Sequence, residues 1–153
     1  MTDEYRLRKA WYVRPTWSDY RPGDIRYGPT RSKVRYSAWL DIRDACSDTT
    51  LIEIEVKRAA HADVRLPLRH PLADKLSDEA THCLLHAYGS NRDPYKAGYR
   101  NHFYTRRDDP HLVECEILGL VDTSAGWYEG MAFFLLTELG RNVALSLTPE
   151  YAP

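Results

Sequence analysis

The stretch Leu112–Leu147 constrains this chain more than any other. A helical run closes at Gly119, Leu120 and Val121 open a strand-like run, and a polar tip holds Gly126 and Gly130. Met131–Leu136 is an apolar run of strand length, and Thr137 stands where a helix cap belongs. The expected order is helix, strand, loop, strand, helix. Phe133 and Phe134 are neighbours, so in a strand they face opposite ways and one of them packs inward.

The rest of the chain supplies a second pattern. Residues 1–8 are charged and read as a frayed terminus. Trp11 and Val13 alternate with Tyr12 and Arg14, then Pro15, Pro22 and Gly23 break the run before a short strand at Ile25 and Tyr27. Thr30 caps a helix whose apolar stripe is Val34, Ala38, Ile42 and Ala45, widened by Trp39 and Cys46. Ile52, Ile54 and Val56 alternate with Glu53, Glu55 and Lys57, so a strand is expected there with the two glutamates on the solvent face. Residues 61–76 contain Pro67 and Pro71 and no period, and read as a linker. Ser77 caps a helix that buries Ala80, Leu84, Ala87 and Tyr88 and ends at Gly89. Residues 89–108 read as a loop, after which Asp109 and Pro110 open another helix. The fold class expected is α+β, with a small ββαβ unit over 1–60, a linker over 61–76 and a second module over 77–149.

Composition narrows the setting. Net charge is −1, so no global field attracts nucleic acid or an anionic membrane. No apolar run approaches the roughly 20 residues of a membrane span. Cys46, Cys83 and Cys115 are odd in number and widely spaced, which predicts free thiols in a reducing cytoplasm rather than a disulfide framework.

Two groups of residues carry chemistry. His82 and His86 lie four apart on one helix, and His111 and Cys115 repeat the spacing on another. If those faces met, a tetrahedral zinc site could form. A zinc hydrolase is disfavoured, because Cys83 stands where such enzymes place a glutamate after the first histidine. The reading adopted is that the pairs sit apart, as core and surface residues, with no metal and no cofactor. The second group is basic and aromatic. Arg92, Lys96, Arg100, Arg106 and Arg107 are interleaved with Tyr95, Tyr99, Phe103 and Tyr104. Such a loop can stack bases, anchor a protein partner, or simply be solvated. Arg31, Lys33 and Arg35 sit in the first turns of a helix, where cations oppose the helix dipole, and this hints at an acidic partner. No phosphate-binding loop, dinucleotide fingerprint, nucleophile elbow or catalytic triad is present.

Phe133–Arg141 resembles the strand-to-"LT-x-x-G-R" junction that closes the wing in MarR-like and related winged-helix regulators, and Leu118-Gly119-Leu120-Val121 resembles their exit from the recognition helix. The resemblance spans about 36 residues and implies a winged-helix-like module. His86–Gly89, Tyr99–Phe103, Gly119-Leu120, Phe134–Gly140 and the basic helix start Pro29–Tyr36 are similar to small phage and prophage proteins. That likeness implies an origin in phage or prophage and the cytoplasm of a bacterial host.

The helix that would enter a DNA groove departs from that pattern. Over Asp109–Leu118 it carries Asp109, Glu114 and Glu116 and no Lys or Arg, a surface that phosphates repel. Residues 60–153 hold 9 basic and 13 acidic residues, and residues 1–59 hold 12 and 9, the reverse of what a DNA reader in this half needs. The expected function is therefore non-enzymatic. The chain is read as an accessory protein that binds a host or phage protein, for example a defence or regulatory protein in the manner of an anti-CRISPR. A nucleic-acid-binding regulator is the alternative, and a small zinc-stabilised domain the third reading.

Overall fold

The computed structural model describes residues 4–153; the first three residues of the expected frayed terminus lie outside them. The fold is mixed α+β. Two compact units can be distinguished, one comprising Arg6–Arg65 and the other Leu66–Pro153 with the described residues before Arg6. Among the described residues no helix is long and apolar enough to cross a membrane.

In Arg6–Arg65, β2 (Ala10–Pro15) is the central strand of an antiparallel sheet between β3 (Asp24–Tyr27) and β4 (Ile54–Arg58). Val13 lies opposite Asp24 on one side and Val56 on the other. Helix α1 (Arg31–Ala45) packs Val34 and Ala38 against Val13, Ile54 and Val56, with Trp11, Trp39 and Ile42 at the margin. Its Thr30 cap accepts from the Lys33 amide at 3.3 Å. The apolar stripe stops at Ile42, since Ala45 and Cys46 are exposed.

Three expectations are corrected here. Tyr5–Arg8 is not frayed but forms β1, which pairs with β5 (Val64–Pro67) inside the stretch expected to be a linker. Arg8 is buried, and its guanidinium lies 5.7 Å from the centre of the Tyr27 ring, so a charged sequence here still makes an ordered strand. Ile52 is 85% exposed rather than strand core. The Glu53 carboxylate accepts from the Thr50 amide at 2.7 Å and hydroxyl at 2.8 Å, and this capping box winds Leu51–Glu53 into a 3-10 turn, so the strand starts only at Ile54. Glu55 is not simply on a solvent face, because Arg14 and Lys57 both pair with it.

The second unit has helices α2 (Asp78–Tyr88), α3 (Pro110–Ile117) and α4 (Glu138–Leu147) and an antiparallel sheet in the order β6 (His102–Arg106), β8 (Met131–Leu136), β7 (Val121–Ala125). The helix, strand, strand, helix order expected for 112–147 is the order observed, and Phe134 is the inward phenylalanine. Its core joins Leu84, Leu112, Leu120, Val121, Phe134 and Val143. Each helix starts on a side-chain cap: Ser77 Oγ accepts from Ala80 N at 3.2 Å, Asp109 Oδ1 from His111 N at 3.1 Å, and Thr137 Oγ1 from Gly140 N at 2.9 Å. Gly89 ends α2 in the left-handed conformation, φ 87°. Gly140 lets α4 approach the turn before β7, since a Cβ there would lie 1.8 Å from the Leu120 carbonyl oxygen. β6 corrects the loop reading of 89–108.

Candidate functional site

Strand alternation builds the first surface. β8 sends Ala132, Phe134 and Leu136 into the core, so Met131, Phe133 and Leu135 occupy its other face. In register with them, Tyr104 lies opposite Phe133 and His102 opposite Leu135. The β7–β8 hairpin tip adds Trp127 and Tyr128. Gly126 is required there because a Cβ would lie 2.6 Å from the Met131 carbonyl, and Gly130 adopts φ 75°. Tyr104, Trp127 and Phe133 form a ring cluster with centroid distances of 4.6, 5.0 and 5.2 Å, and Trp127 meets Phe133 edge-on at 85°. His102 adds an edge contact to Phe133 at 5.9 Å. Trp127 and Tyr128 are 77% and 74% exposed. The Tyr104 hydroxyl is buried with no hydrogen-bond partner among the described residues.

The basic and aromatic residues expected to act as one loop fall into separate places. Tyr104 and Arg106 belong to β6, and Tyr104 joins the ring cluster. Arg106 pairs with Asp108 at 2.8 Å, and Arg107 with Glu116 at 3.2 Å. Tyr95 and Lys96 lie in a 3-10 turn, Pro94–Lys96, where the Tyr95 hydroxyl accepts from Ala152 N at 3.2 Å. Arg92 and Lys96 are exposed. Tyr99 and Arg100 line a cavity with Tyr88, Gly98, Asn101 and Arg141. In the other unit, Arg31 and Lys33 are exposed on the first turn of α1, while Arg35 is half-buried with a buried Nε that has no partner among the described residues.

The histidine and cysteine pairs are not wholly apart, as had been expected, because α2 and α3 pack together. His82 and His111 line one depression with Asp78, Glu79 and Cys83. The other two members are engaged elsewhere. The His86 ring packs at a tilt against Phe103 with centroids 4.5 Å apart, and Cys115 is fully buried with Sγ 3.7 Å from the Ala80 carbonyl oxygen. The four side chains therefore do not converge, and among the described residues no group of three His, Cys, Asp or Glu is placed to hold a metal ion. Burial holds His86 below the ordinary imidazole range, helped by Arg100, His82 and Arg92. Burial also raises the Cys83 thiol and, with Cys83, Glu114 and Asp109 nearby, pushes Cys115 up to about 12.

No protein-family model, curated protein or solved structure matches the chain.

The acids of α3 have internal work. Asp109 caps the helix, Glu114 binds Ser77, and Glu116 accepts from Thr123 and pairs with Arg107. What sequence reasoning missed is the aromatic hairpin tip. The signal was Trp127-Tyr128 between Gly126 and Gly130, two large rings at an apex where polar residues are the rule.

Proposed function

We propose that this chain is a non-enzymatic accessory protein, of the phage or prophage kind, that binds a protein partner through a winged-helix-like module spanning 77–149. The contact surface is the hairpin tip and the outer face of β6 and β8: Trp127, Tyr128, Tyr104 and Phe133. The observation that carries this reading is the exposure of Trp127, itself a member of the preorganised ring cluster, and of the adjacent Tyr128. Aromatic anchors held rigid before binding lose little freedom on contact, and Trp and Tyr dominate interface hot spots. The paired Arg106 and Arg107 supply a polar rim. A host defence or regulatory protein is the target class this reading favours.

The test compares wild type with Trp127→Ala and Tyr128→Ala for capture of a partner from bacterial lysate, followed by affinity measurement. A hot-spot residue costs about 2 kcal/mol or more, roughly a 30-fold loss. Equal capture by wild type and both variants would overturn the reading. The ring cluster also favours a second reading, stacking of single-stranded nucleic acid. Oligonucleotide binding that weakens steeply with salt would select it.

A further inference from the structure

At the opposite end of the sheet from the hairpin tip, Leu136 N donates to the Asn101 carbonyl at 2.8 Å. Beside this contact a cavity of about 360 Å³ opens among the end of α2, the segment before β6 and α4, lined by Tyr88, Gly98, Tyr99, Arg100, Asn101 and Arg141. That volume falls at the small end of ligand pockets, which run from about 300 to 1,000 Å³.

The lining sets the chemistry. Arg100 and Arg141 bring two permanent positive charges, and neither guanidinium makes an ion pair or hydrogen bond with a described residue. Arg106 and Arg107, by contrast, are both paired with carboxylates. The Tyr88 hydroxyl oxygen would stand 3.4 Å from a Cβ placed on Gly98, and it too has no partner among the described residues. The Asn101 side-chain oxygen lies 3.4 Å from His102 Nδ1, which leaves its amide group as a donor. No carboxylate lines the cavity. The wall is thus rich in donors and carries two uncompensated cations. The charge of Arg100 also opposes protonation of His86.

A phosphate monoester carries a charge of about −1.5 to −2 at neutral pH and three acceptor oxygens. It matches two guanidinium groups, a phenol and an amide presented from different elements. A carboxylate carries one charge and is satisfied by a single bidentate arginine. Beside the cations the Tyr99 ring, 65% exposed, forms a flat wall seated on Gly89. We propose that this cavity binds the phosphate monoester of a small molecule, with Arg100 and Arg141 on the phosphate oxygens and the Tyr99 ring against the organic group. The site shares no residue with the hairpin surface and does not rest on the function proposed for it.

Calorimetric titration of the whole chain with phenyl phosphate, inorganic phosphate and benzoate tests the assignment. Phenyl phosphate should bind saturably and tightest. Arg141→Gln, at an exposed position, should weaken both phosphates by about tenfold or more. Tyr99→Ala should weaken phenyl phosphate and leave inorganic phosphate unchanged. Arg100→Gln should behave like Arg141→Gln; if it does not fold, Arg141→Gln and Tyr99→Ala decide. Absence of saturable phenyl phosphate binding, benzoate binding of equal strength, or an unchanged affinity in Arg141→Gln would overturn the proposal.

Discussion

Ser77 and Glu114 are bonded twice: the Glu114 carboxylate accepts from the Ser77 amide at 2.6 Å and from its hydroxyl at 2.8 Å. The same hydroxyl oxygen caps α2 by accepting from Ala80 N. A side chain of α3 therefore fixes the first turn of α2.

Removing either partner should loosen both helices. Ser77→Ala loses the cap and is expected to cost about 1 kcal/mol or more. Urea denaturation of Ser77→Ala, Glu114→Gln and the double variant should give non-additive losses. The Ser77 hydrogen bonds hold the Glu114 carboxyl below its ordinary range. Its stabilising contribution is present above the unfolded carboxyl value and is lost as pH falls through the lower folded value. Glu114→Gln should therefore flatten the acid limb of the stability curve, and an unchanged limb would contradict this.

Gly140→Ala should be severe for a reason unrelated to helix propensity, which alanine improves. The added methyl would meet the Leu120 carbonyl at 1.8 Å, and that oxygen also accepts from Thr137 N at 3.0 Å. Overpacking of this kind costs about 1–3 kcal/mol. A midpoint of unfolding equal to wild type would show that α4 can move away freely.

His86 should titrate below an ordinary histidine, because burial, helped by the neighbouring Arg100, His82 and Arg92, opposes its protonation. With the folded value depressed, stability is full above the unfolded imidazole value of about 6.5 and falls as pH drops through the window beneath it. An NMR titration should place His86 below the ordinary imidazole value, and an unshifted His86 would contradict its burial. Arg100→Gln should raise it.

The three cysteines should react with a thiol reagent in an order set by exposure and acidity. Cys46 is exposed, Cys83 is half-buried with a raised thiol, and Cys115 is buried and pushed up to about 12. At neutral pH only Cys46 should react quickly in the native protein, since the thiolate is the nucleophile. Cys115 should modify at the rate of unfolding. Fast modification of Cys115 would contradict the burial.

What the sequence made legible is local chemistry. Thr30, Ser77, Asp109 and Thr137 could each be read as a cap because a cap is a relation between residues two or three apart. β6 was not legible. His102, Phe103 and Tyr104 are all aromatic, so no polar-to-apolar alternation marks the strand; the core takes one face and the ring cluster the other. The cavity was invisible for another reason. Tyr88 ends α2, Arg100 lies in the segment before β6 and Arg141 lies in α4, and no spacing rule joins the three. The ring cluster likewise unites Tyr104, Trp127 and Phe133 from two strands and a tip.

Gly89 is both the stop of α2 and the seat of Tyr99: a Cβ there would lie 2.2 Å from the tyrosine ring. One wall of the cavity is therefore set by an atom that is missing. A side chain gained at position 89 would displace the ring at position 99 or require a smaller residue there. The dependence runs one way: a shorter residue at 99 leaves Gly89 undisturbed, whereas a side chain at 89 strains the left-handed end of the helix and meets the ring that forms the flat wall beside the arginines.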